Sequence, residues 1–163
     1  MQRNTLAETM ETLKALERFE LALASFYGFC GEPAGNGPEF WAALAREECR
    51  HAEAIRGMAT ILAERPDRFE PNRAFHVTAF QTFIAYVESL AERLRTGETS
   101  RSDQHHLLSL ARDVEQSVLE GKWNEIVKTA DAEFQALLRD VVSDTMTHKA
   151  KIAAQLAVTP KCV

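Results

Sequence analysis

With 163 residues, 45% of them hydrophobic and 26% charged, the chain has the size and composition of one globular domain and is short for two. The net charge of -5 argues against nucleic-acid binding, which needs a basic face, and no run approaches the ~20 apolar residues of a membrane span. Cys30, Cys49 and Cys162 form no CxxC pair, which excludes a rubredoxin-type or zinc-ribbon module. That odd, scattered set, with no signal-type apolar segment behind Met1-Gln2-Arg3-Asn4, gives the expectation of reduced thiols in a cytoplasmic protein.

In chain order, apolar periodicity predicts helices at about 5–30, 38–64, 76–96, 101–121 and 126–157, and no strands. The first helix carries a 3-4-3-4 seam of Leu13, Leu16, Glu20, Leu23 and Tyr27. It ends at a strong break, Gly31-Glu32-Pro33-Ala34-Gly35-Asn36-Gly37-Pro38. The second has the seam Trp41, Leu44, Glu48, His51, Ile55, Met58, Leu62, and closes at a break from Arg65-Pro66 to Pro71-Asn72. The helix at 76–96 presents Phe80, Phe83, Val87, Leu90 and Leu94 with no polar intruder, as expected of a covering or crossover helix. After Thr96-Gly97, Ser100 and Asp103 have the spacing of an N-terminal capping pair for a helix with the seam Leu108, Ala111, Glu115, Val118. Gly121 weakens or ends that helix. The last seam runs Phe134, Leu138, Val141, Thr145, His148, Ile152. Residues 1–159 thus form one helical-bundle domain, followed by a frayed tail at 160–163.

Polar residues belong on the outer face of a bundle helix, yet four seams are broken near their middles by carboxylates or histidines. One unpartnered ionised carboxylate in a core costs several kcal/mol. Several facing one another would also repel, and a cation at their centre removes both penalties. Glu48 and His51, at i and i+3, project from the same helical face. Carboxylate oxygen with imidazole nitrogen suits iron, manganese or zinc rather than calcium. A lone Glu in a seam is more often a flanking residue with its head in solvent. Glu17 and Glu47 compete for the inward register, but Glu20 and Glu48 alone continue the seams.

Glu20 followed by Tyr27 resembles the first helix of rubrerythrins and bacterioferritins. Phe40-Trp41-Ala42-Ala43-Leu44-Ala45-Arg46-Glu47-Glu48-Cys49-Arg50-His51-Ala52 resembles the FWxxLAxEExxHA helix of small rubrerythrin-like proteins, and Ala111–Ser117 resembles their third bundle helix. The resemblance, over about residues 8–155, implies a ferritin-like four-helix bundle with 76–96 in the connection between the second and third bundle helices. It implies metal ligands at Glu20, Glu48, His51, Glu115 and His148, and a di-iron carboxylate centre reacting with oxygen or peroxide. Such an oxidoreductase, lacking a rubredoxin module, needs an external electron donor.

One position departs from the pattern: Thr145 stands three residues before His148, where the family carries a second bridging Glu. Three carboxylates and two neutral imidazoles bring -3 against +4 for two divalent ions, so the site needs another anion or holds one ion. Asp144, at i−4 from His148, is the nearby substitute. A degenerate, metal-free bundle with a structural or interaction role is the alternative that Thr145 favours. His76, His105 and His106 are expected at the surface, Cys49 as a packing or surface thiol, and Trp123 at the bundle end or in a homodimer interface.

Overall fold

A computed structural model describes residues 5–31, 37–73 and 75–161. Among these, five α-helices dominate: α1 Leu6–Cys30, α2 Pro38–Glu64, α3 Val77–Arg95, α4 Gln104–Glu120 and α5 Ala132–Val158. The only sheet among the described residues pairs β1, Phe69–Pro71, with β2, Val127–Thr129. The fold is therefore all-α with a vestigial ribbon. Met1–Asn4, most of the 31–38 break, and Cys162 with Val163 lie outside the described residues.

Local chemistry explains the helix starts. Thr5 caps α1 in a reciprocal box: its Oγ1 accepts from the Glu8 N–H at 3.2 Å, and its own N–H donates to Glu8 Oε2 at 2.6 Å. Pro38 opens α2 at the position where a missing N–H costs nothing. At α4 the expected capping pair does not form. Asp103 itself is the cap, accepting from His106 N–H at 3.0 Å, so α4 begins at Gln104. Ser100 instead bonds Ser102 Oγ at 2.6 Å. The helix stops at Gly121, and Lys122 turns left-handed with φ 50°.

The last helix begins six residues later than its periodicity predicts. Val127–Thr129 donate and accept across an antiparallel ladder to Phe69–Pro71, with Phe69 opposite Thr129. That ribbon ties the α2–α3 connection to the α4–α5 connection. Asp131 then caps α5 by accepting from the Phe134 N–H at 3.2 Å. Its carboxylate is also gripped by Arg65 and Arg68 at 3.0 and 3.1 Å. The Phe134 N–H, then these two guanidiniums, hold the Asp131 carboxyl below its usual range despite burial.

Helix α1 packs against both α2 and α3; α5 packs against both α2 and α4. The predicted seams face inward: Leu13, Leu16, Leu23, Tyr27, Leu44, Ile55, Ala111, Val141 and Ile152 are all at most 1% exposed. Each large apolar side chain buried this way is worth roughly 1.5–3 kcal/mol. Phe80 and Phe83 of α3 pack on Phe19 at 5.4 and 5.6 Å, so α3 covers the outer side of α1. Trp123, only 4% exposed, fills an internal position beside Leu13, Met58 and Phe134 rather than presenting itself to a second copy. No helix among the described residues is long and apolar enough to cross a membrane.

Candidate metal centre

Four helices each deliver polar side chains to one interior point. Helix α1 supplies Glu20, α2 supplies Glu48 and His51, α4 supplies Glu115 and α5 supplies His148. All five are at most 3% exposed. Each continues an apolar seam, so the packing that buries leucines above and below carries these groups inward with them.

Glu48 is the hub. Its Oε2 lies 2.9 Å from His51 Nδ1 and its Oε1 lies 2.8 Å from His148 Nδ1. The imidazoles stack with centroids 5.1 Å apart and planes 22° apart. Glu20 Oε2 approaches His51 Nδ1 at 3.7 Å, and Glu115 Oε1 approaches His148 Nδ1 at 3.9 Å. Both histidines thus turn Nδ1 toward the carboxylates. Glu48, His51 and His148 form one group whose ligand-type atoms all lie within 4.8 Å of one another.

The electrostatics follow from burial and mutual contact. Burial pushes the Glu20 carboxyl up to about 8, with His51 opposing and the neighbouring Glu48 charge adding to the rise. Burial and the Glu48 charge likewise lift Glu115 well above the usual carboxylate range, against the hydrogen bond it receives from Tyr27. At Glu48 burial is outweighed by contacts to His148, His51 and Glu20, which hold it down at about 2. Burial also disfavours an imidazolium at His51, yet Glu20 and Glu48 overcome this and push it up to about 11. Burial and mutual contact thus favour the neutral acid at Glu20 and Glu115 and an ion pair between Glu48 and His51.

The donor set fits a divalent transition ion on one specific ground. Glu48 Oε1, His148 Nδ1 and His148 Nε2 are buried and have no hydrogen-bond partner. Glu48 Oε1 and His148 Nδ1 are only 2.8 Å apart but lack hydrogen-bond geometry. Buried polar atoms left unpaired cost about 1–3 kcal/mol each. Two donors of a shared ion with bonds of about 2.0–2.2 Å sit about 3 Å apart at right angles, without pointing at each other. Carboxylate and imidazole are the donor types such an ion takes.

The register rivals separate clearly. Glu17 faces outward and pairs with Arg56 at 2.6 Å. Glu47 is half-buried and touches His148 Nε2, the outward nitrogen, at 2.5 Å. Asp144, half-exposed, lies 3.4 Å from His51 Nε2 and is likewise outside the interior cluster. It does not stand in for the missing carboxylate. Thr145 is 5% exposed and faces inward, but its Oγ1 donates to the Val141 carbonyl at 2.9 Å.

Tyr27 acts closer to the site than its helical distance from Glu20 suggests. Its hydroxyl donates to Glu115 Oε1 at 2.6 Å across the interior from α1 to α4. No periodicity argument reaches this contact, because it depends on how two non-adjacent helices meet. His76 and His106 are exposed, and His105 is half-buried on α4, outside the cluster. Cys49 is an exposed free thiol and Cys30 a buried one.

No protein-family model, curated protein or solved structure matches this chain.

Proposed function

We propose that the chain is a rubrerythrin-like metal-binding protein of the ferritin-like kind, holding iron between α1, α2, α4 and α5 for oxygen- or peroxide-linked redox chemistry. Manganese or zinc would suit the same donors. The observation that supports this most directly is the pair of unpartnered buried atoms Glu48 Oε1 and His148 Nδ1, 2.8 Å apart among Glu20, His51 and Glu115. The motif resemblance and the inward setting of all five residues point the same way.

Glu20, Glu48, His51, Glu115 and His148 are the residues that would hold the ion. Bound iron would supply a one-electron couple and an open coordination place. The remaining work falls to the chain itself. Glu48 links the two histidines through its two oxygens. Tyr27 orients Glu115. Leu16, Leu23, Ile55, Ala111 and Val141 line the same core and keep bulk water out. The raised Glu20, Glu115 and His51 would give up protons to a cation bound there. With no CxxC pair in the sequence, electrons come from an external donor.

A metal-free bundle is the second reading, and one observation favours it: Thr145 places a hydroxyl engaged with the backbone where a bridging carboxylate is expected. Metal analysis of protein purified from iron-supplemented cells, followed by anaerobic ferrous reconstitution, separates the two. Stoichiometric iron supports the metal centre. No uptake under either condition leaves the metal-free bundle.

A further inference from the structure

Helix α3 packs on α1, and α4 packs on α5. Between the lead-in to α3 and the end of α4 lies a recess of about 320 Å³, the size of a small-molecule site. None of the five residues of the candidate metal centre lines it. Its floor is aromatic: Phe80, Val118 and Trp123 are buried, and the half-buried Phe75 stands edge-on to Phe80 with centroids 5.3 Å apart. Its rim carries Arg73 and His76, both exposed. Arg73 donates one N–H to Glu125 Oε2 at 3.1 Å, which fixes the guanidinium but occupies only one edge of its five-donor fork.

The walls are held in place by the backbone. The N–H groups of Asn72 and Arg73 donate to the Ile126 and Glu125 carbonyls at 2.9 and 3.2 Å, continuing the β1–β2 ribbon up to the recess. Gly121 supplies an independent sign that space is kept here. A glycine that ends a helix ordinarily takes the left-handed position. In this chain Lys122 takes it, with φ 50°, while Gly121 keeps φ −63° and ψ −18°, which any residue adopts. The backbone therefore gives no reason for glycine at 121. A Cβ there would lie 3.3 Å from the Val118 carbonyl and 3.7 Å from the Phe75 ring, so the missing side chain keeps one wall of the recess clear.

We infer that this recess binds a small aromatic carboxylic acid, with its ring on the phenylalanines and Trp123 and its carboxylate on Arg73, beside His76. Aromatic walls favour a planar ring through offset and edge contacts. The free edge of a guanidinium matches a carboxylate through two parallel hydrogen bonds. A neutral apolar ligand would leave Arg73 unused, and an inorganic anion would leave the floor unused. The inference does not depend on the metal-centre reading.

Isothermal titration calorimetry of the full chain with naphthoate, naphthamide and acetate tests it, with circular dichroism confirming that each variant is folded. Naphthoate should bind saturably at one site per chain, naphthamide roughly 10-fold more weakly, and acetate not measurably. Arg73→Gln should reduce naphthoate to the level of naphthamide and leave naphthamide unchanged. Gly121→Leu should abolish binding of both by filling the recess. If Gly121→Leu does not fold, Arg73→Gln, on an exposed side chain, decides alone. Absence of saturable naphthoate binding at millimolar ligand overturns the inference. Equal affinity for naphthoate and naphthamide overturns the assignment of an acid, and naphthoate binding that neither variant changes places the ligand elsewhere. A dimer in sedimentation that Gly121→Leu disperses, with no naphthoate bound, would show that a second copy covers the recess instead.

Discussion

Thr145→Glu probes the position that most sharply divides the two functional readings. Thr145 is 5% exposed on the inward seam of α5, three residues before His148, as Glu48 is three before His51. A glutamate there enters an interior that already holds Glu20, Glu48 and Glu115 and breaks the Thr145–Val141 back-bond. In the metal-free protein the new carboxyl must either ionise without a partner, which costs several kcal/mol, or take a proton and still crowd the core. With a penalty of about 3 kcal/mol and a 2–4 °C shift per kcal/mol for a domain of this size, the unfolding temperature falls roughly 6–12 °C. With metal the balance reverses. Four carboxylates bring -4 against +4 for two divalent ions, and the restored carboxylate completes an ExxH pair with His148. Differential scanning calorimetry with and without anaerobic ferrous iron reads the outcome, with metal content measured on the same samples. The expected result is a destabilised metal-free variant rescued by iron, with occupancy rising toward two ions per chain. Destabilisation that iron does not relieve, with no gain in occupancy, would refute the reasoning and favour the metal-free bundle.

Three further outcomes follow from the same geometry. Glu48→Ala and His51→Ala should each weaken ferrous binding by at least ~10–100-fold, whereas His105→Ala should bind as wild type; equal binding by all three in an anaerobic titration would move the ligands elsewhere. Tyr27→Phe removes the one hydrogen bond to Glu115 Oε1 and should destabilise the metal-free protein by about 1–3 kcal/mol in chemical denaturation; an unchanged midpoint would mean the phenol is only packing. Because the Glu20 pKa is raised to about 8, its protonated form contributes stability that is present below its ordinary value near 4.5 and lost as pH rises through about 8. The metal-free unfolding temperature should therefore fall between about pH 5 and 8 while metal affinity rises over the same range, with proton release measurable in weakly buffered calorimetry; pH-independent binding would contradict the raised Glu20.

Much of the helical architecture could be read from periodicity, because a buried seam leaves a 3-4-3-4 record. Glu20, Glu48, Glu115 and His148 could be placed inward for the same reason: the leucines and alanines one turn away set their direction. The misjudged start of α5 has the opposite origin. Val127–Thr129 reads as a continuation of helical spacing, and only its partner at Phe69–Pro71, more than fifty residues earlier, turns it into a strand. The Ser100–Asp103 spacing was equally ambiguous, since an aspartate can close a capping box or be the cap, and His106 N–H decides it. The sequence raised Glu47, Asp144 and Tyr27 as residues near the site but could not give the contacts they make. Each depends on which atom of a histidine or carboxylate on another helix lies opposite, a fact of interhelical register rather than of composition.

The metal-free interior raises a sharper question than whether a cation is needed for folding. A Glu48–His51 ion pair with protonated Glu20 and Glu115 already removes the net charge that those four groups would otherwise bury. Apolar seams from five helices supply the rest, so the fold alone does not argue for a bound ion. Protons leave one buried contact unsatisfied, that between Glu48 and His148. Protons placed for their own sake would sit between Glu48 Oε1 and His148 Nδ1 in line, as one does between Tyr27 and Glu115 at 2.6 Å. Instead those two atoms approach to 2.8 Å without forming a hydrogen bond, and both are sealed from water. Hydrogen bonding rewards alignment along the donor–hydrogen axis. Coordination rewards convergence of lone pairs on a third point. Glu48 and His148 lack the first, and this unmet contact is what supports the proposed metal centre despite Thr145.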